Sequence, residues 1–287
     1  TAKNLPNAIS VLAVANKNGL LAAPDTYMDK IAVGSGLPNK IIDLDNTVEK
    51  NIKLTKSFIK KISDRNKGIG FDQLIAVGLP TKDDHDFFVR FYNSDSSEAS
   101  MCLNGIRCAS SYIWKNSLAP IKKISFKTKH NNIKCYPENN NDVSVVINKP
   151  KEIENPLLKK KLNKIIKSDY FLLNVGNNHL GIYMKSIEKF DLNKLYFKLV
   201  KLIKKLEINL SIFSMKDNSV RIRTFENGVG ETLSCGSASL CVASYILSKN
   251  NKLKVKSIGG ELKFKNHIDG ILMSGPTNYI YKGNINE

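Results

Sequence analysis

"VRFYNSDSSEASMCLNGIRCASSYI", residues 89–113, and "IRTFENGVGETLSCGSASLCVASYI", residues 222–246, lie over one another at an offset of 133 residues. Seven of the twenty-five positions are identical: Arg90 with Arg223, Glu98 with Glu231, Cys102 with Cys235, Cys108 with Cys241, and Ser-Tyr-Ile at 111–113 with 244–246. Chance would supply about one or two, so the match marks an internal duplication. Two homologous domains are expected, each presenting a strand, a polar loop, a cysteine and then a helix. The flanking sequence agrees. "KIIDLD", "QLIAVGLP" and "DFFVRFYN" read as strands and "LTKSFIKKISDR" as a helix, with more strands over 121–149 broken by "PENNND". The second half repeats the order: strands "YFLLNV" and "LGIYMK", a helix over 192–206, then strands "INLSIFSM" and "SVRIRTFE". A basic helical stretch over 152–167 follows two proline-containing turns and marks the boundary between the halves.

The chain has 287 residues, enough for two domains that each bury a core. Its 42% hydrophobic and 24% charged content describes a soluble globular protein, and no stretch approaches the roughly 18 uncharged apolar residues of a membrane span. A net charge of +18 invites a nucleic-acid reading, but only five of the 44 basic residues are arginine: Arg65, Arg90, Arg107, Arg221 and Arg223. Bidentate phosphate and base recognition favour the guanidinium fork. The lysines instead fill the outer faces of amphipathic patterns such as "LLKKKLNKIIK" and "KLVKLIKKLEI". Neither nucleic acid nor a membrane is expected as a partner. Residues 1–27 contain only Lys3 and Lys17, and the composition changes at Met28. This segment reads as an extension, a processed leader or an added remnant, and an organellar leader stays open. The domains are then expected over 28–148 and 149–276.

Five cysteines, an odd number without a dense framework, point to free thiols in a reducing compartment. In each copy the cysteine stands at or just before a helix N-terminus. Unpaired N–H groups and the positive end of the helix dipole there can lower a thiol pKa from about 8.5 towards neutrality. The same N–H groups can bind a carboxylate, so paired domains would hold an amino-acid carboxylate between two helix ends with one sulfur on each side. A thiolate on one face then removes the α-proton while a thiol on the other delivers one, inverting the centre without a cofactor. A lone cysteine at a helix start is more often a small buried residue than a catalyst. Duplication at equivalent positions favours the catalytic role for Cys102 and Cys235. Cys108 and Cys241, six residues further on, fall on another helix face and read as core, and Cys135 reads as structural. No C-x-x-C pair or Cys-His cluster is present, so no metal is expected.

These residues resemble the diaminopimelate epimerase family. "GSGLPNKIIDLDN" looks like its opening strand and loop, "DRNKGIGFDQL" its second signature, and "FYNSDSSEASMCLNGIRC" its first cysteine motif. "VGNNHLGIYM", "INLSIF" and "FENGVGETLSCGSAS" look like the Gly-Asn-Pro-His segment, the following asparagine segment and the second cysteine motif. The resemblance implies an α+β fold of two pseudo-symmetric domains, each a β-barrel-like sheet around a central helix, with a last strand near 277–287 returning to the first. It implies a cytoplasmic homodimer acting without cofactor on a small amino-acid substrate, interconverting LL- and meso-diaminopimelate for lysine and peptidoglycan precursor synthesis. Cys102 and Cys235 would be acid and base. Backbone groups at Leu103, Asn104, Gly236 and Ser237 would hold the reacting carboxylate. Asn39, Gln73, Asn93, Asn177, Asn209 and Asn227 would line the substrate site, and His179 and Glu226 would tune the cysteines.

The chain departs from the family pattern at several places. Leu103, Ser96 and Ala238 stand at glycine positions, Pro38 stands where the first loop has a glycine, and Asn178 replaces the proline of Gly-Asn-Pro-His. Asn227 stands where the family places an arginine for the far carboxylate, and an amide cannot make that bidentate charged contact. Two alternatives follow: a cofactor-independent racemase of another amino acid, and a non-catalytic binding member of the fold.

Overall fold

The computed structural model describes residues 8–14, 39–44 and 54–283, apart from 69, 72, 79, 81–83, 130, 140–141, 217–218 and 248–251. Side chains of 8–14, 39–44 and 278–283 lie outside that description. The chain divides into two compact units, one taking the residues up to Val145 and those from Gly275 onward, the other Val146–Ser274.

The first unit holds β1 (Ala8–Val14), β2 (Asn39–Leu44), α1 (Lys56–Ser63), β3 (Gln73–Gly78), β4 (Phe87–Asn93), β5 (Glu98–Ala99), α2 (Leu103–Lys115), β6 (Ile124–Lys127) and β7 (Asn132–Pro137), with β8 (Asp142–Ile147) spanning the division. β1 falls within the segment read as an extension and pairs antiparallel with both β2 and β3. The rest of 1–27 lies outside the described residues. β3 pairs antiparallel with β4, which runs antiparallel to β5 and parallel to β6. Thr55 caps α1 by accepting from the Phe58 N–H at 3.1 Å, Ile59 and Ile62 turn inward, and Lys60 and Lys61 stay outside.

The second unit runs β9 (Lys151–Glu152), α3 (Pro156–Ile165), β10 (Tyr170–Asn174), β11 (Asn178–Tyr183), α4 (Leu192–Ile203), β12 (Ile208–Lys216), β13 (Ser219–Glu226), β14 (Gly230–Thr232), α5 (Gly236–Ile246), β15 (Lys252–Ser257), β16 (Gly260–His267) and β17 (Gly270–Gly283). β11 and β12 are parallel and β12 and β13 antiparallel. β17 pairs with β16 through its first residues and with β2 through Thr277–Gly283, so its second half belongs to the first unit. The lysines of α3 and α4 behave as the pattern implies: Leu158, Leu162, Leu192, Leu199 and Ile203 are buried while Lys160, Lys161, Lys164, Lys194, Lys198 and Lys201 face solvent. No helix among the described residues is long and apolar enough to cross a membrane.

Each unit is a mixed sheet with a helix buried against several of its strands. α2 is buried from Leu103 to Trp114 and packs on β1, β2, β3 and β7; α5 packs on β10, β11, β12, β15 and β16. A helix covered on all sides must be apolar or small all round, as "LNGIRCASSYIW" and "GSASLCVASYI" largely are. The duplication extends to hydrogen-bond register. Phe91 pairs with Ala99 and Tyr92 with Glu98, and the same positions shifted by 133 pair as Thr224 with Thr232 and Phe225 with Glu231. Two of the sequence identities form one device. Arg90 donates from Nε and Nη2 to the Glu98 carboxylate at 2.9 and 2.8 Å, and Arg223 does the same to Glu231 at 2.6 and 2.9 Å. Such two-pronged bonds fix geometry as well as adding energy. Each fork ties the strand that enters the motif to the short strand that delivers the cysteine.

The loop between β4 and β5 carries a local cost. Ser96 has φ 72, in the left-handed region that only glycine enters freely, and it is buried there. A Ser96→Gly variant should gain about 1 kcal/mol. Thermal denaturation should show a midpoint about 2 °C or more higher; an unchanged or lower midpoint would count against strain at this residue.

Candidate active site

In the first unit Cys102 is the N-cap of α2. Its backbone is extended (φ −140, ψ 104), its side chain is half-buried, and its Sγ accepts from the Gly105 N–H at 3.2 Å. A Cβ at Gly105 would meet Ile75 Cδ1 at 2.7 Å and the Cys102 sulfur at 3.2 Å, so a side chain there would displace the tip of Ile75 and press on the sulfur. Ala238 stands at the equivalent position of α5 and is fully buried, so that half has room for the extra methyl group. Leu103 and Asn104 follow the cysteine in the first turn, and both are buried.

Gln73 opens β3 and Asn93 closes β4. They are direct cross-strand partners, and Gln73 Nε2 donates to Asn93 Oδ1 at 2.9 Å. Asn93 Nδ2 donates onward to Ser97 Oγ at 3.0 Å, which secures the loop ahead of the cysteine. Asn39 begins β2, with its side chain outside the described residues.

In the second unit the sequence-predicted residues converge. Cys235 is the N-cap of α5, with φ −127 and ψ 111, the same extended entry as Cys102. Its sulfur lies 3.3 Å from Ser237 Oγ, Asn177 Nδ2 donates to that hydroxyl at 3.4 Å, and Asn177 Oδ1 sits 3.1 Å from His179 Nε2. His179 thus reaches Cys235 through two intermediaries. It is buried, Nδ1 has no partner among the described residues, and burial holds its pKa down at about 4, so the imidazole is neutral. Glu226, at the end of β13, accepts from Thr232 Oγ1 at 2.6 Å. Asn209 on β12 accepts from the Asn227 N–H at 2.9 Å, and Asn227 Oδ1 accepts from the Tyr196 hydroxyl at 3.2 Å. The Tyr196 ring stacks on Phe225 with centroids 3.8 Å apart. Where the family pattern has an arginine, this chain has a short amide whose Oδ1 is engaged by a tyrosine.

Tyr196 and Thr232 did not stand out in the sequence. Tyr196 sits on α4 in an amphipathic pattern that explains it as core, and Thr232 aligns with Ala99, which bears no hydroxyl.

The helix N-terminus does not set the ionisation of Cys235 as its sequence position suggests. Burial first and the Glu226 carboxylate second push this thiol up to about 12, against the opposing pull of the Ser237 hydroxyl and the Ser237 and Ala238 N–H groups. Desolvation of a thiolate outweighs the helix end here. Cys235 is therefore a neutral thiol, suited to donating a proton. Cys108, Cys135 and Cys241 are fully buried, and burial raises all three thiols, the first two to about 12. No group of His, Cys, Asp and Glu among the described residues could hold a metal ion.

The fold is shared with solved structures of low sequence identity. A phenazine biosynthesis PhzC/PhzF protein of Clostridium difficile superposes with a TM-score of 0.62 at 15% identity, covering 93% of this chain and 95% of its own. A hydroxyproline epimerase of Agrobacterium vitis gives 0.57 at 12% identity, over 93% and 89%. Sequence is more specific. The diaminopimelate epimerase family model matches residues 31–152 and 171–280. The diaminopimelate epimerase of Wigglesworthia glossinidia brevipalpis is 36% identical over 265 residues, 84% of this chain and 94% of that protein. That of Blochmanniella pennsylvanica is 32% identical over 270 residues, 88% and 97%. The chain belongs to the diaminopimelate epimerase family.

The buried thiols couple stability to alkaline pH. An unfolded cysteine titrates near 8.5, whereas Cys108, Cys135 and Cys235 keep their protons in the folded chain until about 12. Between these values the folded state binds more protons than the unfolded one, so stability is full below about pH 8.5 and falls as pH rises towards 12. Thermal melts from pH 8 to pH 11 should show a steadily falling midpoint, with a shallower fall in a Cys135→Ala variant. A midpoint independent of pH across this range would refute the assignment.

Proposed function

We propose that this protein interconverts LL- and meso-diaminopimelate by proton transfer between Cys102 and Cys235, without a cofactor. The observation that carries this is a cysteine at the same helix N-terminal position in both halves of a chain from the diaminopimelate epimerase family.

The chemistry follows from the two thiols. A thiolate takes the α-hydrogen as a proton, and the C–H electron pair passes into the adjoining carboxylate, whose growing charge falls to backbone N–H groups at the starts of α2 and α5. The other cysteine, as a neutral thiol, returns a proton to the opposite face of the carbon. No electrons are gained or lost, and the pair ends with its protonation exchanged. Cys235 enters as donor because burial and Glu226 keep it protonated. Ser237, linked through Asn177 to His179, holds the sulfur in place, and Gln73, Asn93, Asn177, Asn209 and Asn227 supply neutral polar groups for the rest of the substrate.

The racemase and non-catalytic alternatives are not favoured, since the curated relatives named above cover nearly their whole length with this chain. Asn227 bears on affinity: an amide already bonded to Tyr196 offers the far carboxylate less than an arginine would. The homodimer and the cytoplasmic location rest on the family resemblance.

Incubation in D2O with LL-diaminopimelate and, separately, a panel of L-amino acids should give α-deuteration with the first substrate. Exchange confined to a different amino acid would replace the substrate, and exchange with none would favour the non-catalytic alternative. Cys102→Ala and Cys235→Ala should each lower epimerisation by about 10²-fold or more. Cys108→Ala should keep its turnover and lose about 1 kcal/mol of stability. Full epimerisation by Cys235→Ala would remove the two-thiol mechanism.

A further inference from the structure

We propose that Arg107 is a positioning residue for the Cys102 thiolate: its guanidinium, sealed beneath the first turn of α2, braces that turn and makes Cys102 the cysteine that carries the negative charge in the free enzyme. The catalytic part of this inference rests on the epimerase function proposed above.

Arg107 is 0% exposed, which is rare for an arginine unless an anion accompanies it. Nη2 donates to Asn104 Oδ1 at 3.0 Å, Nη1 to the Leu103 carbonyl at 3.4 Å, and Nε has no partner among the described residues. Both acceptors are neutral, so hydrogen bonding leaves a full positive charge in the interior, an arrangement that is costly without compensation. Burial accordingly weakens its hold on its proton, and the groups that offset this are Cys108, Cys102, Asp142 and Cys135. Cys108 and Cys135 are held neutral by their own burial. Cys102 and Asp142 remain to supply negative charge.

Among the described side chains, the elements around α2 add little else. β1 and β3 contain no titratable residue, and β2 contributes Lys40 and Asp43, whose side chains are outside the described residues. β7 contributes Cys135 with the exposed Lys134 and the half-buried Tyr136, and Asp142 opens β8. Cys102 directly precedes Leu103 and Asn104, the two residues that the guanidinium grips.

The duplicated half supplies the control. The position equivalent to Arg107 is Leu240, fully buried, so a buried helix of this design needs no cation for packing. The charge near the other cysteine has the opposite sign: Glu226 acts on Cys235, and its equivalent in the first half is the neutral Asn93. One half favours a thiolate and the other a thiol, so the two cysteines start in different protonation states.

Site-resolved alkylation by iodoacetamide, followed by mass spectrometry from pH 6 to pH 10 on the full chain, reads this without requiring turnover. In the wild type Cys102 should react faster than Cys235 at neutral pH. Arg107→Leu and Arg107→Met should raise the midpoint of the Cys102 profile by about one pH unit, slowing its alkylation about tenfold at pH 7, while Arg107→Lys stays near the wild type. Circular dichroism identifies the folded variants. A folded Leu or Met variant with an unchanged Cys102 midpoint would overturn the proposal. If neither folds, the wild-type profile decides: Cys102 reacting more slowly than Cys235, or with the midpoint of a free thiol, overturns it as well. Loss of diaminopimelate exchange with this alkylation pattern intact would instead count against the substrate assignment alone.

Discussion

A helix that is buried along its length still has to find acceptors for its first four N–H groups, and none of its own turns can supply them. α2 is in this position and so are the first turns of α5, and the other features of the candidate site depend on how their open ends are met. A cysteine stands at each cap in an extended conformation. At α2 the sulfur takes one N–H group from Gly105; at α5 it lies against the Ser237 hydroxyl. The remaining donors can serve a carboxylate, which is how a packing requirement becomes a chemical opportunity.

Delivering a cysteine to a cap with sub-ångström care takes more than a helix. Each half uses a strand, a short hairpin and a two-pronged Arg–Glu bond, in the same register. The forks involve partly exposed groups, so their value lies less in stability than in holding the hairpin at one angle to the strand. Against this shared frame the differences between the halves stand out. The first carries a buried cation and a glycine pressed against the sulfur; the second carries a carboxylate, an alanine and a polar chain reaching His179. A duplicated scaffold fixes equivalent positions for the two thiols, and substitutions within it surround them with different charges.

Much of this was legible before any coordinates. Helix starts at Cys102 and Cys235, the core placement of Cys108 and Cys241 and the solvated lysine faces follow from spacing and repetition, because local periodicity records which side of an element meets the core. The site was less legible. That Gln73 bonds Asn93 depends on pairing between strands twenty residues apart, and the contact of Asn227 with Tyr196 spans thirty-one. Leu103, a bulky residue at a glycine position, turns out to be buried. Ser96, at a family glycine position, has a left-handed backbone.

The sequence by itself determined the duplication, the strand–loop–helix run around each cysteine, the two cysteines and the family, since each is carried by residue identity at fixed spacing. Only the tertiary structure decided their electrical state. Cys235 sits at a helix end that alone would favour a thiolate, yet it is held as a thiol, because desolvation and a carboxylate from a neighbouring strand outweigh the dipole. Arg107 reads in sequence as one more basic residue, and only packing shows it as a cation without solvent. Burial and charge sum over neighbours brought together from distant parts of the chain, and no local pattern records that sum.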